Sequence, residues 1–137
     1  MSRVLLDTSA YSGILRGDPG LARAMQEADE IAINAIVLGE LKAGFRRGRH
    51  REKNERELAG FLASPRVRVL GLDEESADRY AVILDSLRSA GNPIPTNDVW
   101  IAASAMQHGF RVLTTDQHFG KVPQIVVDFG EEGGWRG

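Results

Sequence analysis

Arg3-Val4-Leu5-Leu6-Asp7-Thr8-Ser9-Ala10 is an apolar run that ends in a carboxylate and passes at once into hydroxyls. Val4-Leu5-Leu6 is too short for a helix and shows no polar alternation, so it reads as a strand buried on both faces. Asp7 falls where that strand stops. Thr8 or Ser9 can then cap a helix, since a hydroxyl there accepts from an orphan backbone N–H. A carboxylate at the carboxyl end of a buried strand, facing a helix start, sits where open α/β sheets bind ligands. Taken alone, Asp7 is as well explained as a turn or capping residue. Other acids in comparable settings decide between the two.

Outward from this stretch, strands and helices alternate. Residues 9–15 form a short helix with Ala10, Tyr11 and Ile14 inward. Asp18-Pro19 opens a second one, residues 19–28, with Leu21, Ala24, Met25 and Ala28 at helical spacing. Ile31-Ala32-Ile33-Asn34 is a second strand. Residues 35–45 follow as a helix with Ile36, Val37, Leu41 and Phe45 apolar, and Glu40 lies beside that face. A further helix carries Leu58, Phe61 and Leu62 and is broken by Ser64-Pro65. Val67-Arg68-Val69-Leu70 is a third strand. Asp73 then caps a helix reaching about residue 90, with Ala77, Tyr80, Ala81, Leu84 and Leu87 on one side and Gly91 as its stop. After the stiff Asn92-Pro93-Ile94-Pro95 connector, Thr96 or Asn97 can cap a helix over residues 99–108 that is apolar nearly all round and therefore buried. Residues 110–114 are a fourth strand and Ile125-Val126-Val127 a short fifth. The expected fold is α/β: a parallel sheet of four to five strands with helices on both faces. No repeat or linker divides the chain, so residues 1–129 read as one domain and the glycine-rich residues 130–137 as a mobile tail.

With 137 residues, 42% of them hydrophobic and 26% charged, the composition is that of a single globular domain and argues against disorder. No run approaches the roughly 20 apolar residues of a membrane span, and no cationic segment precedes an apolar one at the start. Absence of cysteine removes disulfides and thiolate metal sites, which fits a cytoplasmic protein. His50, His108 and His118 show no zinc spacing, so any metal is held mainly by oxygen, which points to Mg²⁺ or Mn²⁺. A net charge of −2 excludes a uniformly basic nucleic-acid binder. The charge is uneven, however. Arg46, Arg47, Arg49, Arg51 and Lys53 surround His50, and Arg56 extends the run. It can hold phosphates or an acidic partner, or be a solvated elbow between helices.

Four acids stand out. Asp116 follows Val112-Leu113-Thr114-Thr115 and repeats the strand-then-acid arrangement of Leu6-Asp7. Asp98 opens a buried helix that already has candidate caps, so it needs another partner. Glu40 taken alone is a partly solvated helix glutamate. Brought together, Asp7, Glu40, Asp98 and Asp116 would repel and raise one another's pKa unless a cation neutralised them. A divalent ion does so while polarising a phosphate, which suggests a metal-dependent phosphoryl or phosphodiester hydrolase.

The pieces Val4-Leu5-Leu6-Asp7-Thr8-Ser9, Ile36-Val37-Leu38-Gly39-Glu40-Leu41, Ile94-Pro95-Thr96-Asn97-Asp98-Val99-Trp100-Ile101-Ala102-Ala103 and Val112-Leu113-Thr114-Thr115-Asp116-Gln117-His118-Phe119 occur in this order. On these the chain resembles the PIN-domain ribonucleases, most closely the VapC toxins of type II toxin–antitoxin systems, over about residues 4–129. The resemblance implies a PIN-like fold and a Mg²⁺- or Mn²⁺-dependent endoribonuclease using metal-activated water. Asp7, Glu40, Asp98 and Asp116 match the family's catalytic and metal-binding acids, and Thr114 matches a position often held by a hydroxyl. It also implies a structured RNA substrate, such as tRNA or rRNA, a homodimer and a VapB-like antitoxin partner. The basic run falls in the family's helical arm, a place for antitoxin or RNA contact. One departure is His118, where some relatives have another acid. It reads as a phosphate- or water-bonding group or a loop-packing side chain, not as a metal ligand. The alternatives are an RNA-processing PIN nuclease without an antitoxin and a non-catalytic PIN module binding RNA or protein. The latter's mark would be loss of the acids. An aspartyl phosphotransferase is disfavoured by Ser9, where that chemistry commonly wants a second acid.

Overall fold

The computed structural model describes residues 2–131 and the backbone of 134–136. Six strands form one sheet: β1 (Arg3–Leu6), β2 (Glu30–Asn34), β3 (Val67–Leu70), β4 (Arg111–Leu113), β5 (Val127–Glu131) and β6 (Gly134–Arg136). Their order is β3-β2-β1-β4-β5-β6; β1 to β5 run parallel, and β6 pairs antiparallel with β5. The helices are α1 (Thr8–Leu15), α2 (Pro19–Glu27), α3 (Ala35–Arg47), α4 (Arg51–Leu62), α5 (Glu74–Ala90) and α6 (Thr96–His108).

Val4, Leu5 and Leu6 are each 0% exposed. Successive strand residues point to opposite faces, so both faces of β1 are covered. The crossovers through α1–α2 and α3–α4 step the sheet one way, from β1 to β3. The crossover through α5–α6 then returns past β1 to place β4 on its other side. With right-handed connections, α1 to α4 cover one face and α5 and α6 the other. The strand order therefore reverses between β1 and β4, where the register pairs Leu6 with Leu113. That reversal leaves a crevice beyond the strand ends. Asp7 and Thr114 are the next residues of the two strands, so the crevice opens on them. Among the described residues no helix is long and apolar enough to cross a membrane.

Several local expectations are corrected. The cap of α1 is Asp7 itself, which accepts the Ala10 N–H, and not Thr8 or Ser9. Neither Thr96 nor Asn97 caps α6: the helix starts earlier than expected, directly after Pro95, so both stand inside its first turn and no side chain caps it. On α5 the buried side is Ser76, Ile83 and Leu87, while Ala77 and Ala81 are exposed. That helix docks by stacking Tyr80 on Trp100 (centroids 4.1 Å apart) and by a hydrogen bond from Ser76 to Gln107, and alanines are too small to set its rotation. The fifth strand starts at Val127, two residues later than expected. A 3₁₀ turn over Gln117–Lys121, pinned by the wholly buried Phe119, consumes the chain first.

Residues 130 and 131 continue β5, and Gly134–Arg136 pair back on it, so the segment expected as a tail adds an edge to the sheet. Residues 132, 133 and 137 lie outside the described ones. Two glycines let α2 meet β5. A Cβ on Gly20 would lie 1.7 Å from the Gly130 carbonyl oxygen, and Gly130 itself has φ +70°. Only glycine takes both the approach and the backbone conformation without strain.

Candidate active site

Asp7 is 4% exposed at the carboxyl end of β1. Its Oδ1 accepts from the Ala10 N–H (2.8 Å) and the Ser9 hydroxyl (2.8 Å), and its Oδ2 accepts from the Thr114 hydroxyl (2.6 Å). Burial pushes its carboxyl above the usual range, and the hydrogen bonds from Thr114, Ala10 and Ser9 oppose that shift. Thr114, wholly buried at the end of β4, also accepts the Asp116 N–H (2.8 Å). One hydroxyl thus ties the two strand-end acids together. The Thr115 N–H donates to Ser9 Oγ (3.1 Å), which closes the link between the β4 turn and α1.

Glu40 comes from α3, half-buried. Its Oε1 accepts from the Thr8 hydroxyl (2.7 Å) and its Oε2 from the Asn97 amide (3.4 Å). Its helix is aimed by Asn34, a wholly buried residue at the end of β2. Asn34 Oδ1 accepts the Val37 N–H (2.9 Å) and its Nδ2 donates to Ser104 Oγ on α6 (3.0 Å). This cap fixes α3 against α6, and so Glu40 against Asp98. An Asn ending an apolar run just before a helix is a readable cap signature. Its tie to Ser104 is not readable, because 70 residues separate the two.

Asp98 stands in the first turn of α6 with its side chain 15% exposed. Burial pushes its carboxyl up to about 6, helped by the like charges of Asp116, Asp7 and Glu40 and offset by His118. All four acids line one open cleft, together with Thr8, Ser9, Ser12, Arg16 and Ile101. The sequence expectation therefore brings Asp7, Glu40, Asp98 and Asp116 together, with Thr114 directly beneath Asp7.

His118 is not the packed loop histidine that was one expectation. It is exposed, with Nδ1 3.0 Å from Asp116 Oδ1 and 3.8 Å from Asp98 Oδ2. Asp98, Asp116 and His118 each offer a donor atom within 4.8 Å of the others, so the histidine belongs with the candidate metal-holding groups. Crowded carboxylates, of which one is raised by burial and by three like charges, are a donor set that a hard divalent cation relieves. The residues fit such an ion on that ground.

The arrangement has counterparts in known proteins. The PIN domain family model matches residues 4–125. Ribonuclease VapC4 of Mycobacterium tuberculosis is 34% identical over 127 residues, covering 91% of this chain and 95% of that one. VapC ribonuclease Y4jK of Sinorhizobium fredii is 31% identical over 124 residues, covering 82% of this chain and 86% of its own. Among solved structures, DNA-bound VapBC from Salmonella typhimurium matches with a TM-score of 0.79 at 27% identity, over 93% of this chain and 97% of that one.

Proposed function

The chain belongs to the PIN-domain family, and on that premise we propose that it is a metal-dependent endoribonuclease, the toxin of a toxin–antitoxin pair. The observation that carries the reading is the convergence of Asp7, Glu40, Asp98 and Asp116 on one cleft, with Asp98 pushed up to about 6. The mark of a non-catalytic PIN module would be loss of the acids, and all four stand at the cleft; relatives named as VapC ribonucleases favour a toxin over an RNA-processing nuclease.

In this reading the four acids hold Mg²⁺ or Mn²⁺, and His118 stands beside them. Such an ion supplies Lewis acidity at a phosphate oxygen and neutralises developing charge. The chain's own groups do the positioning. Thr114 holds Asp7 Oδ2 and the Asp116 backbone in one hydrogen-bonded unit, and Ser9 holds Asp7 Oδ1. Thr8 and Asn97 grip the two oxygens of Glu40, which sets the direction of the carboxylate. These contacts keep the acids in place although they repel one another, which is the preorganisation a hydrolytic site needs.

The same reading carries an RNA substrate such as tRNA or rRNA, a VapB-like antitoxin, a homodimer and a cytoplasmic location. It takes residues 1–129 as the catalytic domain. Arg46, Arg47, Arg49, Arg51 and Lys53 are exposed at the end of α3 and the start of α4, open to an RNA backbone or an antitoxin. The test is incubation of total cellular RNA with antitoxin-free protein in Mg²⁺, in Mn²⁺ and in EDTA, beside Asp98→Asn. Discrete fragments that require metal and vanish in the variant are expected. An Asp98→Asn protein that cuts at the wild-type rate would overturn the site, and folded, metal-binding protein that cuts no RNA would overturn the activity.

A further inference from the structure

The cleft that would receive RNA is acidic, and a phosphodiester entering it meets four carboxylates. Carboxylates repel a phosphodiester in a partly desolvated site, so a cation on the cleft wall helps to draw the backbone in. Among the described residues lining the cleft there is one permanent cation, Arg16.

Its setting is specific. Arg16 is the C-cap of α1, and its N–H bonds the Ser12 and Ile14 carbonyls, so its backbone is held. Thr8, Ser12 and Arg16 recur every four residues, on one side of the helix, and all three line the cleft with Ser9. The side chain is exposed at the cleft wall, and its Nη2 lies 4.0 Å from where a Cβ on Gly13 would stand. The other cations near carboxylates are engaged: Arg3 and Arg68 with Glu30, Lys42 with Glu55, Arg79 with Glu75, Arg111 with Asp128. Among the described residues Arg16 makes no side-chain hydrogen bond or ion pair. A charged fork beside four acids and paired with none of them is available to a ligand. Its planar donors match a phosphate's oxygens in pairs.

We propose that Arg16, with Ser12 one turn before it on the α1 wall, binds a backbone phosphate of the RNA next to the one being cleaved. This rests on the ribonuclease reading of the same cleft. Arg16 thus serves substrate binding and the metal does not depend on it. Replacing it weakens RNA and leaves metal affinity alone. Asp98→Asn has the opposite signature.

The experiment compares wild type, Arg16→Gln, Arg16→Lys and, as a control outside the cleft, Arg23→Gln. Each is titrated with a fluorescein-labelled RNA hairpin in EDTA across about 50 to 200 mM salt. Each is also titrated with Mn²⁺ by electron paramagnetic resonance and assayed for KM and kcat on cellular RNA. Arg16→Gln is expected to bind the hairpin about five- to tenfold more weakly and to lose about 0.7 from the salt slope, the share of one phosphate contact on a single strand. Its Mn²⁺ affinity stays at the wild-type value, and its KM rises more than its kcat falls. Arg16→Lys keeps the slope and recovers part of the affinity. An Arg16→Gln protein with the affinity and slope of wild type, while wild type cuts RNA, overturns this proposal and leaves the ribonuclease reading standing. Wild type that cuts no RNA fails that reading instead. A slope loss as large in Arg23→Gln would reduce Arg16 to general surface charge and overturn the assignment.

Discussion

Replacing Asp98 by Asn should stabilise the metal-free protein, although it removes a residue of the candidate site. In the folded chain the Asp98 carboxyl is pushed from 3.8 up to about 6 by burial and by Asp116, Asp7 and Glu40. At about 1.4 kcal/mol per pH unit, that displacement corresponds to about 3 kcal/mol against the ionised form. Solvent and counterions reach the open cleft, so about 1–2 kcal/mol is the expected residue. The sign follows from proton linkage. The folded state binds more protons than the unfolded chain between the two pKa values, so the contribution of Asp98 to stability is fully present below about 3.8 and is lost as pH rises through about 6. Asn carries no charge at any pH and escapes that loss. In EDTA at about pH 7.5, Asp98→Asn should therefore unfold about 1–2 kcal/mol later than wild type, and the gap should close toward about pH 4. Urea unfolding followed by tryptophan fluorescence measures this directly, since Trp100 stacks on Tyr80 beside the site helix. Excess Mg²⁺ should then stabilise wild type more than the variant and shrink or reverse the gap, because only a state that binds the ion gains from it. A variant less stable than wild type in EDTA at neutral pH would refute the reasoning. A gap that does not change between acid and neutral pH would do the same.

Asn34→Ala should cost about 2–3 kcal/mol, since it removes the α3 cap and strands Ser104; thermal or urea unfolding tests this, and a loss under half a kcal/mol would mean the cap is replaced by water. Thr114→Val, nearly isosteric, should leave the fold intact within about 2 kcal/mol while cutting RNA cleavage, because Asp7 and the Asp116 backbone lose their shared hydroxyl; equal kcat in the variant counts against that role. His118→Ala should weaken Mn²⁺ binding roughly tenfold by electron paramagnetic resonance titration, whereas unchanged affinity would confine His118 to bonding Asp116. Gly20→Ala should destabilise by more than about 2 kcal/mol, because the new methyl meets the Gly130 carbonyl backbone, which has no rotamer to turn away; near-wild-type stability would mean α2 slides on β5 at little cost.

The elements of this protein are local statements, and most were legible for that reason. Val4-Leu5-Leu6 could only be a doubly covered strand, Asp18-Pro19 and Asp73 announce helix starts, and Gly91 and Gly109 take the left-handed conformation that ends α5 and α6. Where reading failed, two local signals competed or neither was strong. Thr8 and Ser9 are good capping residues, but Asp7 precedes them with a carboxylate that accepts better, which frees the Thr8 hydroxyl for Glu40 and leaves that of Ser9 to hold Asp7 itself. Ala77 and Ala81 matched the helical period as well as Ser76 and Ile83 did, and packing on α6 chose between the two faces.

By itself the sequence determined that the chain is an α/β fold, where its acids fall along it, and that two of them end strands, because periodicity and strand length are properties of neighbouring residues. Only the tertiary structure decided that Asp7 and Asp116 share Thr114, that Asn34 locks α3 to α6 through Ser104, and that His118 and Arg16 face the same acids. Those pairings join residues as much as 107 positions apart. They exist because the strand order reverses between β1 and β4, and that choice is made by the burial of whole sheet faces, which no local window contains.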